Sequence, residues 1–157
     1  MKKKQLRKSE IKDIAKKVEE LYGKADLLTK NDSVIIGQTD KNKIIYINGE
    51  PLFFYEGDMI IPTLKLLAKE NLLKKVTVDM GAVRFVANGA DVMRPGITAA
   101  DKDIQKDEYI AVVDENNDVC LAVCKALFSG DEMMAMQSGK VLANIHRAGD
   151  EVWHSCL

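Results

Sequence analysis

From Val34 to Trp153 the chain is written in short apolar runs, most of them closed within a few residues by glycine, proline, asparagine or aspartate. Val34-Ile35-Ile36 stops at Gly37, Ile44-Ile45-Tyr46-Ile47 at Asn48-Gly49, and Leu52-Phe53-Phe54-Tyr55 at Glu56-Gly57-Asp58. Runs of this length between turn residues are strand signals, and Asn-Gly between two of them marks a hairpin. No run approaches the ~18 apolar residues of a membrane-spanning helix. With 46% apolar and 30% charged residues, the 157-residue chain has the make-up of an ordinary folded protein of one domain or two small ones. It is long enough to bury a core without covalent staples.

The segment before the first run has a different period. Ile11, Ile14, Ala15, Val18, Leu21 and Tyr22 recur at helical spacing, which predicts an amphipathic helix over residues 9–22. Ser9 is its expected N-cap and Gly23 its closing residue. Lys12, Lys16 and Lys17 lie off the stripe and give the helix a basic face. Ahead of it, Lys2, Lys3, Lys4, Arg7 and Lys8 form a charged block, expected as a frayed arm that is either solvated or binds an anionic partner. Residues 1–30 carry a net charge of +5, residues 31–72 of −2 and residues 73–157 of −4. Pro62 suits the first position of a second helix running to about Asn71, with Leu64, Leu67 and Ala68 inward. Residues 1–72 therefore read as a small α+β domain, two helices on a three- or four-stranded antiparallel sheet.

Residues 73–157 read as a second domain, mostly strand. Val76 to Asp79 alternate, Gly81 to Gly89 suit a short helix with an Asn-Gly cap, and Ala90 to Arg94 form a strand broken by Pro95-Gly96. Tyr109 to Val113, Val119 to Phe128 and the alternating Val141, Ala143 and Ile145 follow, and Gly149-Asp150 turns into a last strand ending at Trp153. The regular turn signals predict a small, closed or nearly closed β-barrel with short helices. The join near residues 71–75 is short, so the two domains are expected to pack rigidly.

Catalytic and metal-binding patterns are sparse. The two histidines, His146 and His154, have no ligand at metal spacing. Cys120 and Cys124 lie four apart on a predicted strand and so on one face, but no second Cys or His pair accompanies them. Three cysteines without a secretory signal are expected as reduced thiols in a cytoplasmic protein. The Met133, Met134 and Met136 cluster reads as core filler. Phosphate-binding loops and nucleophile elbows are absent. No catalytic residue, metal or cofactor is expected, and no enzyme.

One constellation is specific. It is Asp79-x-Gly81-Ala82, then Val86, Gly89-Ala90, Met93 and Pro95-Gly96-Ile97, with Gly149-Asp150 and Trp153 much later. This resembles the PUA domain, an RNA-binding module named after pseudouridine synthases and archaeosine transglycosylases. Phe54-Tyr55 and Pro62-Thr63-Leu64-Lys65-Leu66-Leu67 upstream, and Ile145-His146 and Trp153-His154 at the end, resemble the family of multiple-copies-in-T-cell-malignancy proteins and their archaeal relatives. The resemblance implies a two-domain RNA-binding factor of translation that contacts ribosomal RNA or tRNA. It implies the small ribosomal subunit as one partner and a separate protein with an initiation-factor-like domain as another. RNA contact is then expected along Gly81 to Asn88, Gly89 to Ile97 and Asp150 to His154.

The residues singled out for RNA are Arg84, Gly89, Ala90, Asp91, Met93, Arg94, Pro95 and Gly96, helped by Lys2, Lys3, Lys4, Arg7 and Lys8. Gly89 and Gly96 let a phosphate backbone come close, although turn geometry explains them equally. Arg94 is expected at the surface, offering a bidentate contact. Arg84 suits either RNA or a solvated helix face. The −4 charge of the second domain opposes a purely electrostatic RNA binder. It keeps open an adaptor that binds protein instead, or an accessory subunit of an RNA-modifying enzyme.

Overall fold

The computed structural model describes residues 1–157 as two antiparallel-rich sheets that share an apolar seam. The first sheet is a five-stranded meander: β1 (Lys2–Gln5), β2 (Val34–Gln38), β3 (Lys43–Ile47), β4 (Glu50–Glu56) and β5 (Met59–Pro62), paired in chain order. Helix α1 (Lys8–Tyr22) covers one face with Ile11, Ile14 and Val18, against Val34, Ile45, Ile47 and Phe53. The other face, with Ile44, Tyr46, Phe54 and Ile61, meets the second sheet. Burial on both faces is why these strands read as continuous apolar runs. Asn48 and Gly49 both have positive φ, 52° and 87°, as the two-residue turn between β3 and β4 requires.

Three expectations for this half change. The basic N-terminus is a strand, not a frayed arm: Lys2 pairs with Gln38 and Gln5 with Ile35. No apolar alternation announces it, because its four side chains are all exposed. Backbone pairing to β2 and the buried Leu6 behind it hold it in place. Lysines on an edge strand also discourage further strands from adding. The N-cap of α1 is Arg7, whose N–H donates to Glu10 Oε1 at 3.1 Å, and Ser9 lies inside the first turn. Pro62 ends β5 instead of opening a helix; it sits at the sheet edge, where its missing N–H leaves no bond unmade. Thr63 then caps a single-turn α2 (Leu64–Leu67), accepting from the Leu66 N–H and donating to the Pro51 carbonyl at 2.8 Å.

The second sheet contains β6 (Lys75–Val78), β7 (Val92–Met93), β8 (Ile97–Ala100), β9 (Tyr109–Asp114), β10 (Cys120–Ala126) and β11 (Lys140–Arg147) in the order 7-11-10-9-6-8. β6 runs parallel to β9 and every other pair is antiparallel. A 3-10 turn, Arg94–Gly96, joins the two edge strands β7 and β8, so the sheet is a nearly closed barrel. Its core includes Val76, Val86, Ile110, Val112, Met133 and Leu142. Helix α3 (Met80–Ala87) follows β6, and α4 (Gly130–Ala135) packs near β8. Met133 fills the core, whereas Met134 is exposed. Strand β8 was not expected. The expected last strand is instead a short helix, α5 (Glu151–His154), because Asp150 accepts the Trp153 N–H at 2.8 Å and turns the chain.

Cys120 and Cys124 do not share a face. The β10 register slips against β9 between Cys120 and Ala122, and against β11 between Val123 and Cys124. In the first, Leu121 is an extra residue of β10 and reverses its alternation; in the second the extra residue is Ile145 on β11, which leaves β10 unchanged. Cys120 therefore packs at the seam between the sheets and Cys124 in the barrel core. Burial pushes the Cys120 thiol up to about 11 and the Cys124 thiol higher still, while Cys156 is exposed. A thiol reagent at neutral pH is expected to titrate one cysteine in the native protein, Cys156, and three after denaturation; rapid native reaction of all three contradicts this packing.

The seam holds a buried polar cluster inside the apolar contacts of Tyr46, Phe54, Leu64, Val123 and Val152. His146, on β11, is 1% exposed. Its Nε2 accepts the Leu64 N–H at 3.1 Å, so the proton sits on Nδ1, which donates to Asp150 Oδ2 at 2.8 Å. The Phe54 ring meets the imidazole edge-on with centroids 5.2 Å apart. Across the same seam, Glu151 Oε1 accepts from Asn42 Nδ2 at 3.0 Å and from the Thr39 hydroxyl.

Candidate nucleic-acid interface

The site is built around α3. Asp79 caps the helix by accepting the Ala82 N–H at 2.9 Å, and Asn88 with Gly89, at φ 99°, ends it. The chain then returns beside the helix as β7. Between the two lies a groove of about 300 Å³ lined by Ala82, Phe85, Val86, Val92, Met93 and Gly96. Phe85 is 55% exposed and Met93 51%, and both stand at its mouth. An exposed aromatic beside an apolar groove offers a stacking face for an unpaired base. The Arg84 guanidinium lies 5.0 Å from the Phe85 ring centroid and makes no ion pair, so its charge remains available.

The expected contact residues divide into two groups. Arg84, Gly89, Ala90, Met93 and Pro95 are exposed on or beside this groove. Asp91 and Arg94 instead brace it. Asp91 Oδ1 accepts the Asn144 N–H at 2.8 Å and Oδ2 meets Lys140 Nζ at 3.2 Å. The Asn144 bond lowers the Asp91 carboxyl below its usual range, against the opposing effect of burial, and Lys140 adds to the lowering. Asn144 Nδ2 in turn donates to the Val86 and Ala90 carbonyls, both at 3.0 Å. Arg94 is half-buried, which corrects its expected exposure. Its Nη1 donates to the Ile97 carbonyl and its Nη2 to the Met134 carbonyl, each at 3.2 Å, tying the 3-10 turn to α4. A Cβ on Gly96 would sit 3.0 Å from the Ala82 Cβ, so this glycine lets the turn pass close to α3.

Gly89 leads to a residue the sequence did not nominate. A Cβ there would lie 2.9 Å from Arg147 Nε, so the arginine rests on the glycine. Arg147 makes no ion pair, and its guanidinium bonds only its neighbour's carbonyl, Ala148, at 3.1 Å. It closes β11 directly after the buried His146, and Gly149 borders it from the other side. An arginine before Gly-Asp at the end of a predicted strand was the available signal. Lys2, Lys3 and Lys4 are exposed on β1, with Lys4 paired to Glu10 at 2.9 Å. They line a separate groove of about 640 Å³ between β1 and α1, which no residue of α3 or β7 borders. Arg7 and Lys8 are exposed at the start of α1. The candidate cations therefore fall in two separate places, by β1 and the start of α1 and by α3, rather than in one continuous patch.

Comparison with known proteins gives this arrangement its relatives. Residues 74–148 match the PUA domain model, and residues 2–70 match a domain of unknown function, DUF1947. An uncharacterized protein of Methanocaldococcus jannaschii is 42% identical over 95% of this chain and 93% of its own. Translation machinery-associated protein 20 of Saccharomyces cerevisiae is 32% identical over 82% of this chain and 76% of its own. Malignant T-cell-amplified sequence 1 of Danio rerio is 31% identical over 96% and 89%. The crystal structure of a hypothetical protein from Pyrococcus horikoshii superposes with a TM-score of 0.82 at 35% identity, covering 97% of this chain and 98% of that one. With a PUA barrel behind a DUF1947 domain along nearly its whole length, the chain belongs to the family of translation machinery-associated protein 20 and malignant T-cell-amplified sequence 1.

Proposed function

We propose that this chain is a non-catalytic, cytoplasmic RNA-binding factor of translation, working as two units over residues 1–72 and 73–157. The observation that carries the reading is the α3–β7 groove, where exposed Phe85 and Met93 stand at the mouth with Arg84 beside Phe85, while Arg147 rests on Gly89 past the C-terminal end of α3; neither arginine makes an ion pair. Its target is an unpaired stretch of ribosomal RNA or tRNA. Such a surface reads bases by stacking, which a net charge of −4 over residues 73–157 permits and a search for duplex backbone does not. In this reading Gly89, Ala90, Pro95 and Gly96 let the strand approach, Asp91 and Arg94 hold the groove's shape, and Arg84 and Arg147 meet phosphates. Lys2, Lys3, Lys4, Arg7 and Lys8 supply longer-range attraction. The names of the fungal relatives support attachment to the translation machinery. In this reading the small ribosomal subunit is the docking platform and a separate protein with an initiation-factor-like domain is a partner.

Co-sedimentation with small ribosomal subunits across a salt series tests this. Deleting residues 1–8 is a poor probe, since β1 and the buried Leu6 belong to the sheet. Replacing Lys2, Lys3 and Lys8 with alanine leaves the backbone pairing in place. For every phosphate that is no longer neutralised, the slope of log K against log salt should flatten by about 0.7 for single-stranded RNA. The Arg84→Ala, Arg147→Ala double variant should flatten it similarly and weaken binding. If both variants bind subunits and RNA with unchanged affinity and slope, an adaptor role for the acidic barrel takes precedence.

A further inference from the structure

Beside the linker of residues 71–75, a cleft of about 420 Å³ lies between the two domains. Its apolar lining is Leu21 and Tyr22 from the end of α1, Met59 from the start of β5, Leu72 and Leu73 from the linker, and Tyr109 from β9. Leu21 is 43% exposed and Met59 37%, although neither belongs to the groove assigned to RNA. Tyr22 is fixed in the wall by its hydroxyl, which donates to the Ile60 carbonyl. Large apolar side chains exposed together around a cleft are a signature of an interaction site.

The charges at the rim are one-sided. Lys74 is the only cation lining the cleft, and it is neutralised by Glu108 at 3.1 Å and Asp103 at 3.7 Å. Glu56 and Asp58 flank Met59 across the β4–β5 turn, exposed and without ion pairs. Asp107 lines the cleft with only a long contact to Lys125, 3.9 Å. Burial raises the Tyr109 hydroxyl above its usual range and the charges of Glu56 and Asp107 raise it further, so both carboxylates act on the cleft interior. Phosphates would be repelled from such a rim, and an acidic peptide would be too.

We infer that this cleft is a protein-docking site for a basic amphipathic segment, whose apolar side chains seat against Leu21, Met59 and Tyr109 while its lysines or arginines face Glu56, Asp58 and Asp107. The chemistry is that of a helix laid in a groove, with apolar anchors giving affinity and rim charges giving register and choice of partner. Because Leu21 and Met59 come from one domain and Tyr109 and Asp107 from the other, the occupant bridges the two. The site lies apart from the α3–β7 groove, so protein and RNA can be held together, and the inference stands whether or not that groove binds RNA.

The probe is a synthetic amphipathic peptide of leucine and lysine, about 15 residues long so that it can form a helix on binding. Its control replaces every lysine with glutamate. In amide NMR titrations of the full chain, the lysine peptide should shift Leu21, Met59, Leu73 and Tyr109, and the glutamate peptide should not. The Glu56→Lys, Asp58→Lys double variant changes only exposed side chains, at the end of β4 and in the β4–β5 turn, so its spectrum should otherwise match the parent. It should bind the lysine peptide at least about tenfold more weakly, which corresponds to about 1.4 kcal/mol. Met59→Ser should also weaken it. Equal binding of both peptides, shifts confined to other surfaces, or unchanged affinity in the charge-reversed variant would each overturn the inference. So would a single-stranded RNA that shifts these same four amides.

Discussion

Phe85→Ala should lower the affinity for single-stranded RNA by about 1–3 kcal/mol, the worth of one aromatic stacking face and roughly a five- to 150-fold loss. The fold should survive, because Phe85 is 55% exposed and exposed substitutions of this kind move stability by about 0.5 kcal/mol or less. The salt slope should not change, since stacking releases no counterions. Arg147→Ala should do the opposite, flattening the slope by about 0.7 with a smaller loss of affinity at low salt. The pair of results separates base stacking from phosphate contact at one surface. Arg94→Ala makes a third pattern. Its guanidinium holds the Ile97 and Met134 carbonyls, so any loss of RNA affinity should come together with a lower melting temperature. A Phe85→Ala protein that binds single strands as tightly as the parent removes the groove from the binding surface.

The parts of this molecule legible in the sequence are those that depend on local pattern. Asn48-Gly49 specifies a turn with two positive φ values, and the helical stripe from Ile11 to Val18 specifies the buried face of α1. The spacing of Asp79, Gly81, Gly89 and Pro95-Gly96 carried the PUA resemblance, and the physical reasons are visible: a helix cap, a left-handed residue under an arginine, and a turn pressed on a helix. What was not legible depends on partners distant in the chain. Strand β1 has no apolar face, and only the free edge of β2 makes it a strand. The extra residue Leu121 in β10, where it pairs with β9, parts Cys120 from Cys124, and nothing in the residues between them signals a bulge. Arg94 reads as a surface arginine until α4 folds over it, and Arg147 reads as the end of a strand until Gly89 is seen beneath it. His146 attracted no role because its two partners, Leu64 and Asp150, come from different domains and neither is a metal-type ligand set.

That histidine carries the largest expected effect on stability. His146→Leu roughly keeps the volume but removes the acceptor of the Leu64 N–H and one donor to Asp150. The amide is left buried and unpaired, and the ring no longer packs edge-on against Phe54. A destabilisation of about 2–4 kcal/mol follows, which for a chain of this size lowers the melting temperature by roughly 5–15 °C. The seam should loosen first, so protease should cut the variant between residues 70 and 76, where the parent is expected to resist. The acid response should change as well. Burial opposes ionisation of Asp150, but the bonds from His146, the Trp153 N–H and the Arg147 N–H prevail and hold its carboxyl below the usual range. A carboxyl with a depressed folded pKa stabilises the protein fully above its unfolded value, about 3.9, and that contribution is lost as pH falls below it. Removing the His146 bond brings the folded value back toward the unfolded one, so His146→Leu should lose less further stability between pH 5 and pH 3, about one unit either side of that value, than the parent does. Chemical denaturation of both proteins at those two pH values measures it. A variant as stable as the parent at pH 7, with the same acid sensitivity, would mean that the His146 bonds add nothing to the seam and that its apolar packing and the Glu151 bonds hold the two domains.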